Sequence, residues 1–221
     1  MQNKNIKIAI LVTLLVFAAV TAFVVINNNN ANKDTVHSDQ PSIEGQPTMG
    51  NVDAPVQVVE FGDFKCPACK RWGEEVYPQL VEDYIDNDKA SFSYINVLFH
   101  GEESILASLA AESVFKADPD SYWAFHKKVF DEQPSVSHDG AWVTVEKMLE
   151  VAEATTNMDL QQLESELQEE TMMEELNTDM ALVEKFEVAL TPSIMVNGTM
   201  LEDPFDYDAI KALIDEALED E

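Results

Sequence analysis

Val56-Gln57-Val58-Val59-Glu60-Phe61-Gly62-Asp63-Phe64-Lys65-Cys66-Pro67-Ala68-Cys69 is the stretch whose reading decides the fold. Its first half is rich in β-branched and aromatic residues and predicts a buried strand, with Pro55 at its start, where no ladder donor is needed. The only two cysteines of the chain follow at once, three positions apart. Pro67 suits the first turn of a helix, because its missing N–H would have had no partner there. On that helix, positions i and i+3 share a face, so the two sulfurs can meet and bond. Unpaired N–H groups and the macrodipole at a helix start favour negative charge, which lowers the Cys66 thiol pKa. Cys66, nearer the tip, is expected to exchange with a partner thiol, and Cys69 to resolve the mixed disulfide. A structural disulfide is the plainer alternative, but closing so short a ring removes little chain entropy, about 2 kcal/mol at best.

Outward from this pair, the helix is expected to run to about Tyr77 and end near Pro78. Ser91 to Phe99 alternates well enough for a second strand. A long helical block follows: Ile105, Leu106, Leu109 and Val114 form one stripe, and Trp123, Phe125, Val129 and Phe130 another after Pro119. Trp142 to Ala154 and Leu160 to about Phe186 read as further helices with Glu-rich outer faces. Ser193 to Leu201 predicts a hairpin turning at Asn197-Gly198, and Asp206 caps a terminal helix with Ile210, Leu213, Ile214, Ala217 and Leu218 on its apolar face. The pattern is α/β: a mixed sheet with helices on its faces and an all-helical insertion in the middle.

Composition removes other classes. The 221 residues include 13 Lys+Arg against 42 Asp+Glu, a formal charge of -29, which repels nucleic acid and anionic lipid. With 46% hydrophobic residues there is ample material for a core, so this is no acidic disordered tail. Seven glycines, with no phosphate-cradling motif among them, exclude the usual nucleotide loops. His37, His100, His126 and His138 show no ligand spacing, and no Ca²⁺-loop motif is present, so any Ca²⁺ site would be assembled from separated segments. At the N-terminus, Ile8 to Ile26 is apolar apart from Thr13 and Thr21, is preceded by Lys4 and Lys7, and reads as a retained membrane anchor with the rest outside. A cleaved signal peptide is the rival reading, and either exports the chain. Polar residues 27–47 read as a flexible tether. The expected layout is therefore a cytoplasmic tail 1–7, an anchor 8–26, a tether 27–47, a sheet domain 48–99 plus 187–221, and a helical insertion 100–186.

Glu60 to Cys69 resembles the active-site segment of the DsbA family of thioredoxin-fold disulfide oxidases. Gly50-Asn51-Val52-Asp53-Ala54-Pro55 is similar to the family's lead-in, Tyr122-Trp123-Ala124-Phe125-His126 through Phe130 to a helix of its inserted domain, and Thr191-Pro192-Ser193 to its proline loop. The likeness covers about residues 48–221, and the anchored architecture resembles Gram-positive members. The resemblance implies a thioredoxin fold, a cis Thr191-Pro192 bond facing the cysteines, and a Thr191 backbone that pairs with an extended substrate. It also implies that Glu60 exchanges protons with Cys69. The redox pair needs no added cofactor. Implied partners are reduced, unfolded exported proteins and a quinone-linked membrane reoxidase of the DsbB type, with a monomer expected. Phe64, Pro67, Ala68 and Thr191 are expected along the substrate groove, with Trp72 a further possible lining residue. Ala68 departs from the most oxidising relatives, which carry histidine there; Lys65 offers some positive potential, although a lysine there is ordinarily just solvated.

Two other functions stay open on the residues alone. A reductase or isomerase uses the same fold at a different redox poise, although the short tether leaves no room for an isomerase's dimerisation domain. A non-enzymatic protein binding a metal or a surface partner is the second.

Overall fold

The computed structural model describes residues 34–134 and 140–219. The expected anchor at 8–26 and the tail before it lie outside the described residues. Among the described residues no helix is long and apolar enough to cross a membrane. The described residues from Val36 onward form one compact unit.

The strands are β1 (Thr35–Val36), β2 (Thr48–Met49), β3 (Val56–Gly62), β4 (Ala90–Asn96), β5 (Ser193–Val196) and β6 (Thr199–Met200), in the sheet order β1-β6-β5-β3-β4-β2. β3 runs parallel to β4 and antiparallel to β5, which makes the sheet mixed. Period-2 alternation splits β3 between two cores. Val56 and Val58 face Trp72, Leu80, Ile210 and Ile214, whereas Val59 and Phe61 face Val183, Phe186 and Met195. Glu60 falls on the Val58 side, toward the cysteine helix. The hairpin turns where expected, with Asn197 and Gly198 both at positive φ (43° and 84°).

α1 (Pro67–Glu75) is followed by α2 (Tyr77–Leu80) and a π-helical turn, Val81–Ile85. The helical path therefore bends at Val76 and passes the expected stop at Pro78, because Pro78 lies in the first turn of α2, where no N–H is required. The insertion comprises α3 (Glu102–Ala117), α4 (Tyr122–Asp131), α5 (Val145–Thr155), α6 (Leu160–Glu169) and α7 (Met173–Lys185); α8 (Tyr207–Glu219) closes the chain. Glu170, in the left-handed conformation, separates α6 from α7 within the stretch expected to be helical from Leu160 to Phe186. The side chain of Asp206 accepts a hydrogen bond from Ala209 N at 3.0 Å, the expected cap.

Residues 36–47, expected as part of a flexible tether, lie along the domain instead. His37 N donates to Gly198 O (2.9 Å), Gln57 Nε2 to Pro41 O (2.9 Å) and Tyr94 N to Pro47 O (3.1 Å). A segment held by single backbone bonds along an edge has no periodicity to betray it. Its last residues join a buried polar cluster: Gln46 Nε2 donates to Asp179 (2.6 Å), and Asn96 Nδ2 donates to Asp179 (2.8 Å) and Glu112 (2.7 Å). Burial, then the neighbouring Asp179, pushes the Glu112 carboxyl up to about 8; burial, with the charge of Glu175, pushes Asp179 up to about 6 against its hydrogen bonds from Asn96 and Gln46.

Candidate active site

Cys66 is the N-cap of α1, with extended backbone (φ -75°, ψ 120°), so its sulfur lies at the helix's positive end. The preceding turn is closed by Cys66 N donating to Asp63 O (2.9 Å). Both cysteines are free thiols, Cys66 7% and Cys69 1% exposed. The expected order of accessibility holds, although both are largely buried. Cys66 Sγ lies 3.3 Å from Thr191 O, and the Thr191-Pro192 bond is cis. The structure thus brings Cys66, Cys69, Thr191 and Pro192 together from the two ends of the chain. Pro67 and Ala68 are half-buried on the helix's first turn.

The two thiols have opposite acidities. The Cys69 thiol hydrogen bond, helped by the Thr191 side chain and the Cys69 and Ala68 N–H groups, outweighs burial and brings Cys66 down from 9.0 to about 5. Burial first, then the bond to Cys66 and the charge of Glu60, raise Cys69 well above 9.0, opposed only by the Asp63 N–H at 3.4 Å. One sulfur is a thiolate at neutral pH and its neighbour a retained proton. Glu60, 3% exposed, has its carboxyl raised well above the ordinary range by burial and then by the Cys66 charge, which favours its proton-bearing form. It lines the same cavity as Cys69.

Three expectations fail here. Phe64 is fully buried, packed against Tyr94, His126 and Phe130, because the helical insertion closes over the loop; it is core and not groove. Trp72 is fully buried too, its Nε1 donating to Pro204 O (2.8 Å). Nor is Lys65 a solvated lysine. It is 6% exposed, ion-paired to Glu103, and donates to Gly140 O at 2.7 Å. Glu103 in turn accepts from Trp142 N (2.7 Å) and Val143 N (2.8 Å), so the pair ties the insertion to the active-site loop.

Two residues that sequence reasoning missed complete the loop. Asp63, fully buried, accepts from Lys65 N (2.8 Å), Phe99 N (3.0 Å), His100 Nδ1 (2.8 Å) and Ser104 Oγ (2.9 Å). Gln133 Nε2 donates to Phe64 O (2.7 Å) and Cys66 O (3.2 Å). An Asp three residues before a helix-start cysteine is a readable turn signal; Gln133 gives none, since its role depends on tertiary packing. Apolar Leu190 (56% exposed) and Phe99 (44% exposed) stand on the loops beside Thr191 and Asp63. Among the described residues, no group of three or more His, Cys, Asp or Glu is disposed to hold a metal.

The thioredoxin family profile matches residues 42–216. This chain belongs to the thioredoxin family. Within that family it is 42% identical over 192 residues to disulfide bond formation protein D of Bacillus subtilis, covering 87% of this chain and 86% of that one. It is also 35% identical to the probable disulfide bond formation protein D of Bacillus anthracis, over 98% of both. The crystal structure of oxidised BdbD from Bacillus subtilis superposes with a TM-score of 0.80 at 43% identity, covering 83% of this chain and 98% of that one. Chlamydia trachomatis DsbA, at 22% identity and a TM-score of 0.71 over 84% and 97% of the two chains, shares the fold. The DsbA-like thioredoxin fold expected from the cysteine segment is the one the chain adopts.

Proposed function

We propose that this protein is an extracytoplasmic thiol–disulfide oxidase that donates the Cys66–Cys69 disulfide to exported proteins. The observation that carries the direction of transfer is the acidity of Cys66. A thiol brought down to about 5 is a good leaving group, so the reduced enzyme is favoured over its disulfide. A substrate thiolate attacks Cys66 Sγ, the Cys66–Cys69 bond breaks, and Cys69 leaves as a thiolate that takes a proton. Glu60, favoured in its proton-bearing form and lining the same cavity, supplies that proton. The substrate's second thiolate then attacks its own sulfur in the mixed disulfide and releases Cys66 as the thiolate; the substrate leaves oxidised and the enzyme reduced.

Thr191, Pro67 and Ala68 border the reacting sulfur. The substrate chain lies extended along Leu190 and Thr191, pairing with the Thr191 backbone by strand addition and resting apolar side chains on Leu190 and Phe99. Residues 8–26 anchor the protein in the membrane with the catalytic domain outside. A DsbB-like, quinone-linked partner in the same bilayer returns the pair to the disulfide. Substitution of Cys69→Ser in an exporting cell tests this reading. Reducible adducts through Cys66 are expected to accumulate on exported proteins, and their absence in a folded variant counts against oxidase activity.

A further inference from the structure

Asp63 touches both cysteines through its main chain. Its carbonyl accepts from Cys66 N (2.9 Å), and its N–H donates to Cys69 Sγ (3.4 Å). A peptide donor stays aimed at a sulfur only while that peptide is held in one orientation, and the side chain of the same residue does the holding. Oδ1 takes Lys65 N at 2.8 Å, closing an Asx turn into the cysteine helix. Oδ2 takes Phe99 N (3.0 Å), His100 N (3.3 Å) and His100 Nδ1 (2.8 Å) from the loop after β4. Ser104 Oγ, from the first turn of α3, lies 2.9 Å from both oxygens. The turn itself needs the Lys65 bond; the others fasten it to two elements that carry no sulfur.

This anchor demands an acid. Lys65 N–H meets one oxygen, and the N–H groups of Phe99 and His100 meet the other, so both must accept. An amide would turn its NH₂ against donors whichever way it faced. Asp63 and Ser104 are both 0% exposed, so bulk water cannot stand in for a lost bond. The two sulfurs also draw on different donors. Cys66 is served by the Cys69 thiol, the Thr191 side chain and the N–H groups of Cys69 and Ala68, whereas the Asp63 N–H serves Cys69. A shift of the Asp63 peptide therefore bears on Cys69 and leaves the donors of Cys66 in place.

We propose that Asp63 is a positioning residue for disulfide opening: its buried carboxylate holds its own peptide N–H on Cys69 Sγ, so that this sulfur has a donor waiting when it leaves as an anion. The inference rests on the oxidase reading and deepens it. A substrate thiolate bonds to Cys66 Sγ, the Cys66–Cys69 bond breaks, and its electron pair goes to Cys69 Sγ. The substrate sulfur is oxidised and Cys69 reduced. Cys69 is 1% exposed, so the Asp63 N–H meets the new charge where water does not, before the proton arrives from Glu60. Because the donor is fixed beforehand, it costs no reorganisation in the step.

The test compares two reactions of the full-length protein with dithiothreitol at pH 7. In the first, the thiol opens the Cys66–Cys69 disulfide and Cys69 leaves. In the second, in a Cys69→Ser background, it cleaves a Cys66–glutathione mixed disulfide and Cys66 leaves. Asp63→Asn is expected to slow the first about ten-fold and to change the second less than about two-fold. Ser104→Ala removes one anchor and keeps the carboxylate. It is expected to slow the first reaction about three-fold, and it decides the matter if Asp63→Asn does not fold. The absorbance titration of Cys66 is expected to keep its midpoint near about 5 in either variant. A merely structural role would slow both reactions together, since access to Cys66 is common to them. Equal slowing of the two, or no slowing of the first, overturns the assignment and leaves the oxidase reading standing. A wild-type disulfide that dithiothreitol does not open overturns both.

Discussion

The acidity of Cys66 makes a quantitative demand on stability. Its thiol falls from 9.0 in an ordinary environment to about 5 in the folded reduced protein. A group whose folded pKa lies below its unfolded value stabilises the fold fully above the unfolded value, and the gain is lost as pH falls through the folded one. The window here runs from about 9 down to about 5. At pH 7, about two units of the shift are in force, or about 2.7 kcal/mol; solvent screening of a partly open thiol brings this to about 2 kcal/mol. The oxidised protein has no ionisable Cys66 and gains none of it. The cost of burying Glu60 falls largely on both forms, and the short disulfide ring adds an offset independent of pH.

Urea unfolding of the reduced and oxidised proteins at pH 5, 6 and 7 isolates the term. The reduced-minus-oxidised stability is expected to shrink by about 2 kcal/mol between pH 7 and pH 5. The same free energy makes the pair roughly 40 mV more oxidising at pH 7 than one with an ordinary thiol. Thiolate absorbance at 240 nm gives an independent titration, with a midpoint expected near 5. A difference constant across that range, or one titration near 9, refutes the argument, because the hydrogen bond from Cys69 would then not be holding the charge.

Three further outcomes are expected. Glu60→Gln removes the proton source beside Cys69 and slows single-turnover thiol exchange about ten-fold or more, with a flattened pH profile; unchanged rates at every pH count against its role. Gly62→Ala places a Cβ 2.7 Å from the Tyr94 Oη and Cζ atoms, and thermal unfolding is expected to show a loss of about 2 kcal/mol or more, part of it recovered with Tyr94→Leu. Glu112 and Asp179 have raised folded pKa values, so their contribution is complete below about pH 4 and is lost as pH rises through about 6 and then about 8. In chelating buffer, Glu112→Gln is therefore expected to be more stable than wild type at pH 9 and to show a shallower decline, which denaturation at pH 5 and 9 checks.

The sheet and its hairpin were legible because each strand carries its own local signal. Val56 to Phe61 is β-branched and aromatic, and Asn197-Gly198 has the positive φ that its turn requires. The cysteine helix was legible for the same reason, since Pro67 at its start is a backbone statement about one turn. Where the reading failed, the deciding partner was remote in sequence. Residues 36–47 look like a linker until Gly198, Gln57 and Tyr94 are placed beside them. Pro78 looks like a stop until the bend at Val76 makes it a beginning.

The site divides along the same line. Cys66 and Cys69 announce themselves by spacing, and Pro192 by resemblance, but the chemistry depends on what the insertion covers. α3 and α4 close over the loop: His126 and Phe130 pack on Phe64, and Glu103 takes Lys65. The positive charge nearest in sequence to the nucleophile is thereby spent on architecture. With Ala68 offering no donor beyond its backbone N–H, the thiolate rests on Cys69, Thr191 and two peptide groups. That arrangement has a consequence for substitution. Removing Lys65 is expected to loosen the insertion before it alters the thiol, whereas Ala68→His places an imidazole on the helix turn that carries Cys66. Position 68 is therefore the place where a substitution is expected to shift the reduction potential more than the melting temperature, and position 65 the reverse, which measuring both quantities on Ala68→His and Lys65→Gln checks.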